Sequence, residues 1–176
     1  YIAALRLVHM DLAARNCLLG DNSRVKVADF GLTHAVPKGK KYWRLTQKMK
    51  LPVKWMSTEA MQKHRFSEMS DVWAFGVTCW EISSYGSVPY TRVPLLELKD
   101  KVCAGLRLQK WARTPQGVYA LFDKCWAADP DARPKFKKLN EKLLTLGQAE
   151  MKKRGDKPDF SLRDIGHVVR STMPGC

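Results

Sequence analysis

Two stretches of the sequence decide its interpretation: His9-Met10-Asp11-Leu12-Ala13-Ala14-Arg15-Asn16 and Ala28-Asp29-Phe30-Gly31. Two apolar runs lie between them, at 17–19 and 25–28, and they flank the turn-forming residues 20–23. Apolar runs on both sides of strong turn residues predict a β-hairpin. Because Asp11 and Asn16 precede the first strand and Asp29 follows the second, we expect the three side chains to share one site.

The composition indicates a single globular domain. The chain has 176 residues, of which 45% are apolar, enough for one sizeable core. No apolar run approaches the roughly 20 residues of a membrane-spanning helix. Five cysteines and four histidines are scattered without paired spacing. This pattern predicts reduced core thiols in a cytoplasmic protein and argues against a zinc site.

The net charge of +14 is concentrated in one part of the chain. Between His34 and Arg65 there are nine Lys or Arg residues and one acid, Glu59. A solvated loop, a surface that attracts acidic peptides and a surface that attracts an anionic membrane all remain open interpretations. No nucleic-acid-binding motif accompanies the charge, so we expect no nucleic acid partner.

The remaining sequence predicts a mainly helical domain. Ser70 or Asp71 is suited to cap a helix that is apolar on all sides and therefore belongs in the middle of the core. Pro94 and Pro115 each open a further helix, and a fourth follows Phe136 and ends at Gly147. Residues 31–50 predict a long surface loop. The domain is expected to cover 1–148, and 149–176 to form a flexible tail.

Several motifs resemble those of one enzyme family. His9, Asp11, Leu12 and Asn16, followed by Asp29-Phe30-Gly31, match the catalytic loop and metal-binding motif of protein kinases. Within the catalytic loop, the residues Ala13-Ala14-Arg15 are similar to those of tyrosine kinases in particular. The stretch 51–56 is similar to their substrate-docking loop. The resemblance extends over residues 1–147. It implies an α+β protein kinase-like fold, of which this chain would be the mainly α-helical C-terminal lobe with a short β-hairpin.

The resemblance also implies roles for residues around the reacting groups. Asp11 would orient the substrate tyrosine and accept its proton, and Arg15 would lie near the acceptor hydroxyl. Asn16 and Asp29 would bind Mg²⁺, which prefers oxygen ligands. Leu18 would form the floor under the adenine of ATP.

Further residues would support these groups. The resemblance implies that His9 stacks with Phe30 inside the lobe and that Asp71 holds the backbone of the catalytic loop. Glu59 and Arg133 would form a buried ion pair. The remaining predicted residues are the activation-loop Tyr42 and the substrate-docking residues Pro52, Val53, Lys54 and Trp55.

Three positions depart from the family pattern. Met10 replaces the catalytic-loop Arg that pairs with a phosphorylated activation loop in the family, and Met can neither carry charge nor donate a hydrogen bond. His34 stands where tyrosine kinases often have a second Arg. Trp43 replaces the second Tyr of a Tyr-Tyr-Arg site. We therefore expect that phosphorylation does not switch this loop in the usual way.

The sequence contains no Gly-rich phosphate loop, no Val-Ala-Ile-Lys strand and no helix that supplies a Glu to that Lys. These parts belong to the N-terminal lobe of a kinase, which is missing here and which we expect the parent protein to supply in cis. Without it, residues 1–176 should have negligible activity alone.

Two functions remain open. In the first, the parent is an active protein tyrosine kinase that transfers the γ-phosphoryl of Mg²⁺-ATP to tyrosine in protein or peptide substrates. In the second, it is a pseudokinase that acts as a protein-interaction or allosteric signalling module. Either protein would be cytoplasmic or the cytoplasmic part of a membrane receptor, and would meet a membrane only through an upstream segment.

Overall fold

The computed structural model describes residues 1–21 and 24–154 of the chain. Helices dominate the described residues: α1 (Thr58–Lys63), α2 (Glu68–Ser83), α3 (Leu95–Cys103), α4 (Gln116–Cys125) and α5 (Phe136–Arg154). The strands are short: β1 (Leu7–Val8), β2 (Cys17–Leu19), β3 (Val25–Val27), β4 (His34–Ala35), β5 (Trp43–Arg44) and β6 (Arg65–Phe66). The predicted mainly helical, kinase-like fold is confirmed.

The strands pair two by two. Strands β2 and β3 form the predicted antiparallel hairpin, with Cys17 opposite Val27 and Leu19 opposite Val25. Strand β1 pairs with β4, and β5 pairs with β6, both antiparallel. The prediction of one uninterrupted loop over residues 31–50 is therefore wrong, since β4 and β5 lie inside it. Each of these strands is only two residues long, too short to show an alternating pattern among so many charged residues.

Helix α2 begins one turn earlier than a cap at Ser70 or Asp71 would require. Ser67 is the N-cap: its hydroxyl accepts a hydrogen bond from the Met69 amide at 3.2 Å, while the Ser70 hydroxyl accepts one from the Ser67 amide at 2.9 Å. This reciprocal arrangement satisfies two amides that the first helical turn leaves open. The predicted caps are wrong, and Asp71 is free for a different, buried role.

Helix α2 runs through the centre of the core, as its all-round apolar sequence predicts. Val72, Trp73 and Val77 are fully buried. Gly76 lets α2 approach the end of α4 closely, because a Cβ at this position would lie only 2.7 Å from Nε1 of Trp126. Packing against several elements at once makes α2 the scaffold on which the functional loops rest.

Helix α5 does not end at Gly147 but continues to Arg154. A mid-helix Gly costs only about 1 kcal/mol relative to Ala, and a Cβ at Gly147 would meet nothing within 4 Å. The following Gln, Ala and Glu residues are acceptable or good helix formers, so the helix propagates through the Gly. The predicted helix end is wrong, and the predicted tail beyond residue 154 lies outside the described residues.

The cysteines within the described residues are free thiols. Cys125 is buried, and burial raises the pKa of its thiol to about 12. Burial likewise raises the pKa of the Cys17 thiol, with a further contribution from Glu81. These thiols stay protonated near neutral pH and behave as small apolar side chains.

Candidate active site

Asp11 forms a hydrogen-bonded group with two other predicted catalytic residues. Its carboxylate accepts hydrogen bonds from the guanidinium of Arg15 and, at 2.9 Å, from Nδ2 of Asn16. Nδ2 of Asn16 also donates to the Asp11 carbonyl at 2.6 Å. The loop and the short 3₁₀ helix Ala14–Asn16 that follow β1 therefore bring together one acid, one cation and one amide.

A buried carboxylate fixes the backbone of this loop. Asp71 of α2 accepts hydrogen bonds from the amides of His9 at 2.7 Å and Met10 at 3.1 Å. Burial raises the pKa of Asp71 to about 7, although the two amides oppose that rise. Met10 has a φ of 66°, a left-handed conformation that a side-chain-bearing residue adopts only when its surroundings impose it. The Asp71 contacts are part of what imposes it.

Glu81 is a second acidic support, and sequence reasoning missed it. Its carboxylate accepts a hydrogen bond from the Ala14 amide at 3.0 Å and another from Nε1 of Trp55 at 2.7 Å. The guanidinium of Arg15 lies 4.6 Å from the centre of the Trp55 ring, in a cation–π contact. Glu81 thus joins the catalytic loop to the predicted docking residues. An acid that follows the apolar run of α2 was the sequence feature that could have drawn attention to it.

The predicted metal-binding stretch begins where β3 ends. Asp29 has a φ of 60°, and its Oδ1 accepts a hydrogen bond from the Gly31 amide at 3.2 Å. The next residue, Phe30, packs against His9 with ring centres 5.1 Å apart. The resemblance implied a contact between these two residues, but the ring planes are tilted by 56° rather than stacked, and Phe30 is 48% exposed rather than inside the lobe.

His9 links the catalytic loop, which carries Asp11, to the residue before Asp29. Its Nε2 is 3.1 Å from the Ala28 carbonyl, so the neutral ring donates its proton there. Burial lowers the pKa of His9, and this outweighs the raising effects of the Ala28 carbonyl, Asp11 and Asp29. A buried, neutral His9 is therefore a packing residue that holds the catalytic loop beside the start of the Asp29 stretch.

The donor atoms suit a hard cation. Asp29 offers a carboxylate, and the hydrogen bonds of Asn16 engage its amide nitrogen rather than its amide oxygen. Mg²⁺ usually takes only one or two protein oxygens and completes its shell with water and phosphate. In the described part of the chain, no cluster of three or more His, Cys, Asp or Glu residues could hold a metal by itself. The residues present thus fit Mg²⁺.

The predicted docking residues lie on a 3₁₀ helix next to the catalytic loop. Pro52 caps the helix Val53–Trp55, and Lys54 is half-buried within it. The hydrogen bond from Trp55 to Glu81 fixes this helix against α2. Leu18, the predicted adenine floor, lies on β2 and is 57% exposed.

Glu59 and Arg133 form a two-pronged ion pair. Nη1 and Nη2 of Arg133 donate to Oε1 and Oε2 of Glu59, each at 2.8 Å. Arg133 also donates to the carbonyls of Ala127 and Met69, and its side chain has no exposed area. The pair ties α1 to the 3₁₀ turn before α5.

The predicted phosphosite Tyr42 is half-buried in the segment between β4 and β5. The guanidinium of Arg65 lies 4.6 Å from the centre of its ring. Met10, by contrast, is only 6% exposed and belongs to the apolar core. The cation beside Tyr42 is therefore Arg65, and the position of the family's catalytic-loop Arg is occupied by a core residue.

Comparison with known proteins agrees with this geometry. A family model for the protein tyrosine and serine/threonine kinase domain matches residues 1–143. The chain is 44% identical over 143 residues, 81% of its length, to the mouse megakaryocyte-associated tyrosine-protein kinase, and covers 27% of that protein. It is 41% identical to the zebrafish tyrosine-protein kinase receptor TYRO3 and to the fruit fly tyrosine-protein kinase Abl, covering 83% and 84% of this chain but 17% and 9% of those proteins.

The chain thus spans less than a third of the length of these relatives. Proteins of this family use ATP and Mg²⁺ and act on protein substrates. Among the described residues, no helix is both long enough and apolar enough to cross a membrane. The ordered motifs, the contacts of the catalytic loop and the matched family model agree: the chain belongs to the protein tyrosine and serine/threonine kinase family.

Proposed function

We propose that the complete protein carrying this chain is a protein tyrosine kinase, which transfers the γ-phosphoryl of ATP to tyrosine hydroxyls. One observation carries the proposal: the carboxylate of Asp11 stands between Arg15 and Asn16 on a loop whose amides are held by two carboxylates of α2. Phosphoryl transfer needs groups that are positioned before the reaction more than it needs covalent chemistry.

In this proposal Asp11 orients the incoming tyrosine hydroxyl and accepts its proton. Arg15 keeps a cation close to the same oxygen, and its contact with Trp55 fixes its direction. The amide oxygen of Asn16 and the carboxylate of Asp29 would hold Mg²⁺, and Leu18 would support the adenine. Bound Mg²⁺-ATP supplies the phosphoryl group and neutralises the charge that develops on its oxygens.

The positive charge of the segment that precedes the docking residues favours substrates with acidic residues around the tyrosine. Lys38, Lys40, Lys41, Lys48 and Lys50 are all exposed. The one acid in this region, Glu59, is already neutralised by Arg133. A surface with a single sign of charge raises the local concentration of oppositely charged peptides. We propose that the protein acts in the cytoplasm or as the cytoplasmic part of a receptor, and that nucleic acid is not its partner.

The test is phosphotransfer by the complete protein with Mg²⁺-ATP and a tyrosine peptide rich in Glu. Replacing Asp11 by Asn should lower kcat by about 10²–10⁴, the usual contribution of a positioned acid–base group. Asp100→Asn is the matched control, because Asp100 is exposed on α3 and should leave kcat unchanged. Equal activity of the Asp11→Asn variant and the unchanged protein would refute the assignment.

A second function has its own support. We call residues 31–50 the activation segment. The apolar Met10, together with His34 and Trp43 of this segment, favours a pseudokinase that binds partners without transferring phosphate. Absence of Asp11-dependent phosphotransfer by the complete protein would favour this alternative. The same assay on residues 1–176 alone should give negligible turnover, because Leu18 and its neighbours on the hairpin face solvent and nothing in the sequence supplies a Gly-rich loop over the phosphates.

A further inference from the structure

Three aromatic rings meet where strands β4 and β5 of the activation segment pair with β1 and β6. The rings of His34 in β4 and Trp43 in β5 are stacked, with centres 3.9 Å apart and planes inclined by 28°. On its other side Trp43 approaches Phe66 of β6, at 6.0 Å between ring centres. One side chain, Trp43, therefore brings residues of β4, β5 and β6 together.

The backbone pairs of these strands connect the rings to both neighbouring parts of the site. His34 is opposite Val8, directly before the catalytic loop. Trp43 is opposite Phe66, directly before the cap of α2. Two backbone hydrogen bonds extend these strand pairs. The amide of Val36 donates to the carbonyl of Arg6 at 2.8 Å, and the amide of Leu45 donates to the carbonyl of His64 at 3.0 Å.

Met10 belongs to the same buried core as Phe66. Met10 and Phe66 line the same small cleft beneath the docking residues, and they are 6% and 2% exposed. We name Met10, His34, Trp43 and Phe66 the aromatic clamp. The contacts among His34, Trp43 and Phe66 are made by rings and need no phosphate or carboxylate. Apolar residues that replace a buried ionic network often preserve or raise stability, so a clamp of this kind is physically sufficient.

We propose that Trp43 is a positioning residue: it holds the activation segment against the catalytic loop and β6 by ring packing, with no phosphate on Tyr42. The segment leads directly to the docking residues 52–55, so the clamp presents them to the peptide. The expected effect on the KM for the peptide rests on the proposed kinase function, whereas the expected order of the activation segment does not.

The structure also offers an alternative way to hold the activation segment, which depends on phosphorylation of Tyr42. Arg65 already lies over the ring of Tyr42, and a phosphate on Tyr42 would have a cation close by. If that pair positioned the segment, order would depend on phosphorylation. The clamp predicts instead that the unphosphorylated segment is already ordered.

The first experiment is amide hydrogen exchange on the unphosphorylated complete protein. In Trp43→Ala we expect the amides of Val36 and Leu45 to exchange about tenfold faster or more, because local opening becomes easier. Trp43→Tyr restores a ring and should largely restore protection. Trp111→Ala is the matched control, since Trp111 is 40% exposed and lies outside the clamp. If Trp43→Ala fails to fold, His34→Ala removes the same stack and is measured in its place.

The second experiment separates positioning from general stability. Trp43→Ala should raise the KM for the peptide severalfold and leave the KM for ATP unchanged, and Trp43→Tyr should reverse the effect. Unchanged exchange in Trp43→Ala, or a many-fold gain of order and kcat on phosphorylation of Tyr42, would overturn the clamp. If the protein transfers no phosphate, the kinase proposal fails and the exchange result alone decides on the clamp.

Discussion

The catalytic loop and the β2–β3 hairpin are adjacent in sequence but are stabilised very differently. Buried acids of α2 hold the amides of His9, Met10 and Ala14. On the hairpin, Leu18, Leu19 and Val25 are between 57% and 73% exposed. The part of the site that would orient the phosphate acceptor is thus organised by this chain's own core. The part that would face the nucleotide is an apolar surface with few contacts of its own.

The difference has a simple physical cause. A two-stranded hairpin buries little and is marginally stable by itself, whereas a buried carboxylate must find hydrogen-bond donors or pay a large desolvation cost. Substitutions should therefore have large effects among the buried acids and their partners, and small effects on the hairpin. Three changes, from the largest expected effect to the smallest, examine this contrast.

Removing Arg133 should have the largest effect. Arg133→Met leaves Glu59 and the carbonyls of Met69 and Ala127 without their donor. Loss of one partner from a buried ion pair costs about 3–5 kcal/mol. Urea unfolding of the 176-residue chain measures this as a drop in the free energy of unfolding.

The control for this prediction is an exposed ion pair. Lys101 and Glu97 are 2.8 Å apart on α3, with both side chains about half exposed. Such pairs contribute about 0–1 kcal/mol, so Lys101→Met should change little. Equal losses in the two variants would show that burial does not set the strength of these contacts.

The sequence predicted most of the core and the ordered motifs, because each carries a local pattern. The apolar run of α2, the turn between β2 and β3 and the prolines before α3 and α4 gave correct elements. The end of α5 was predicted wrongly because a single Gly at 147 is a weak signal against a good helical context. Strands β4 and β5 were missed because each is two residues long, too short to show the alternation of apolar and polar residues that indicates a strand.

Within the candidate site, the sequence motifs predict residues whose types and spacing are typical of the family, but not residues that act through tertiary contacts. Asp11, Asn16 and Asp29 follow from the motifs. The role of Glu81 could not be assigned, because its partners, Ala14 and Trp55, are 67 and 26 residues away in the sequence. The stack of His34 on Trp43 is likewise visible only once β4 and β5 are placed.

Asp71→Asn should have an intermediate and pH-dependent effect. An Asn offers one acceptor oxygen where Asp71 offers two, so one buried amide of His9 or Met10 loses its partner. An unsatisfied buried donor costs about 1–3 kcal/mol. Urea unfolding at pH 5 and pH 8 measures the loss for both proteins.

The pH dependence has a definite sign. Burial raises the pKa of Asp71 from 3.8 to about 7, so the folded chain binds more protons than the unfolded chain between these values. The contribution of Asp71 to stability therefore falls as the pH rises through this window. The loss caused by Asp71→Asn should be larger at pH 5 than at pH 8. An equal loss at pH 5 and pH 8 would mean that Asp71 is ionised in the folded chain throughout this range.

Leu19→Ala should have the smallest effect. Leu19 is 73% exposed on β2, and surface substitutions usually change stability by no more than about 0.5 kcal/mol. The matched change Leu98→Ala removes a fully buried side chain from α3 and should cost about 2–5 kcal/mol. Because Leu19 belongs to an exposed apolar patch, its removal should also reduce binding of the dye ANS by the 176-residue chain. A loss for Leu19→Ala close to that for Leu98→Ala, with unchanged dye binding, would mean that in solution the hairpin is packed and is as much part of the core as α3.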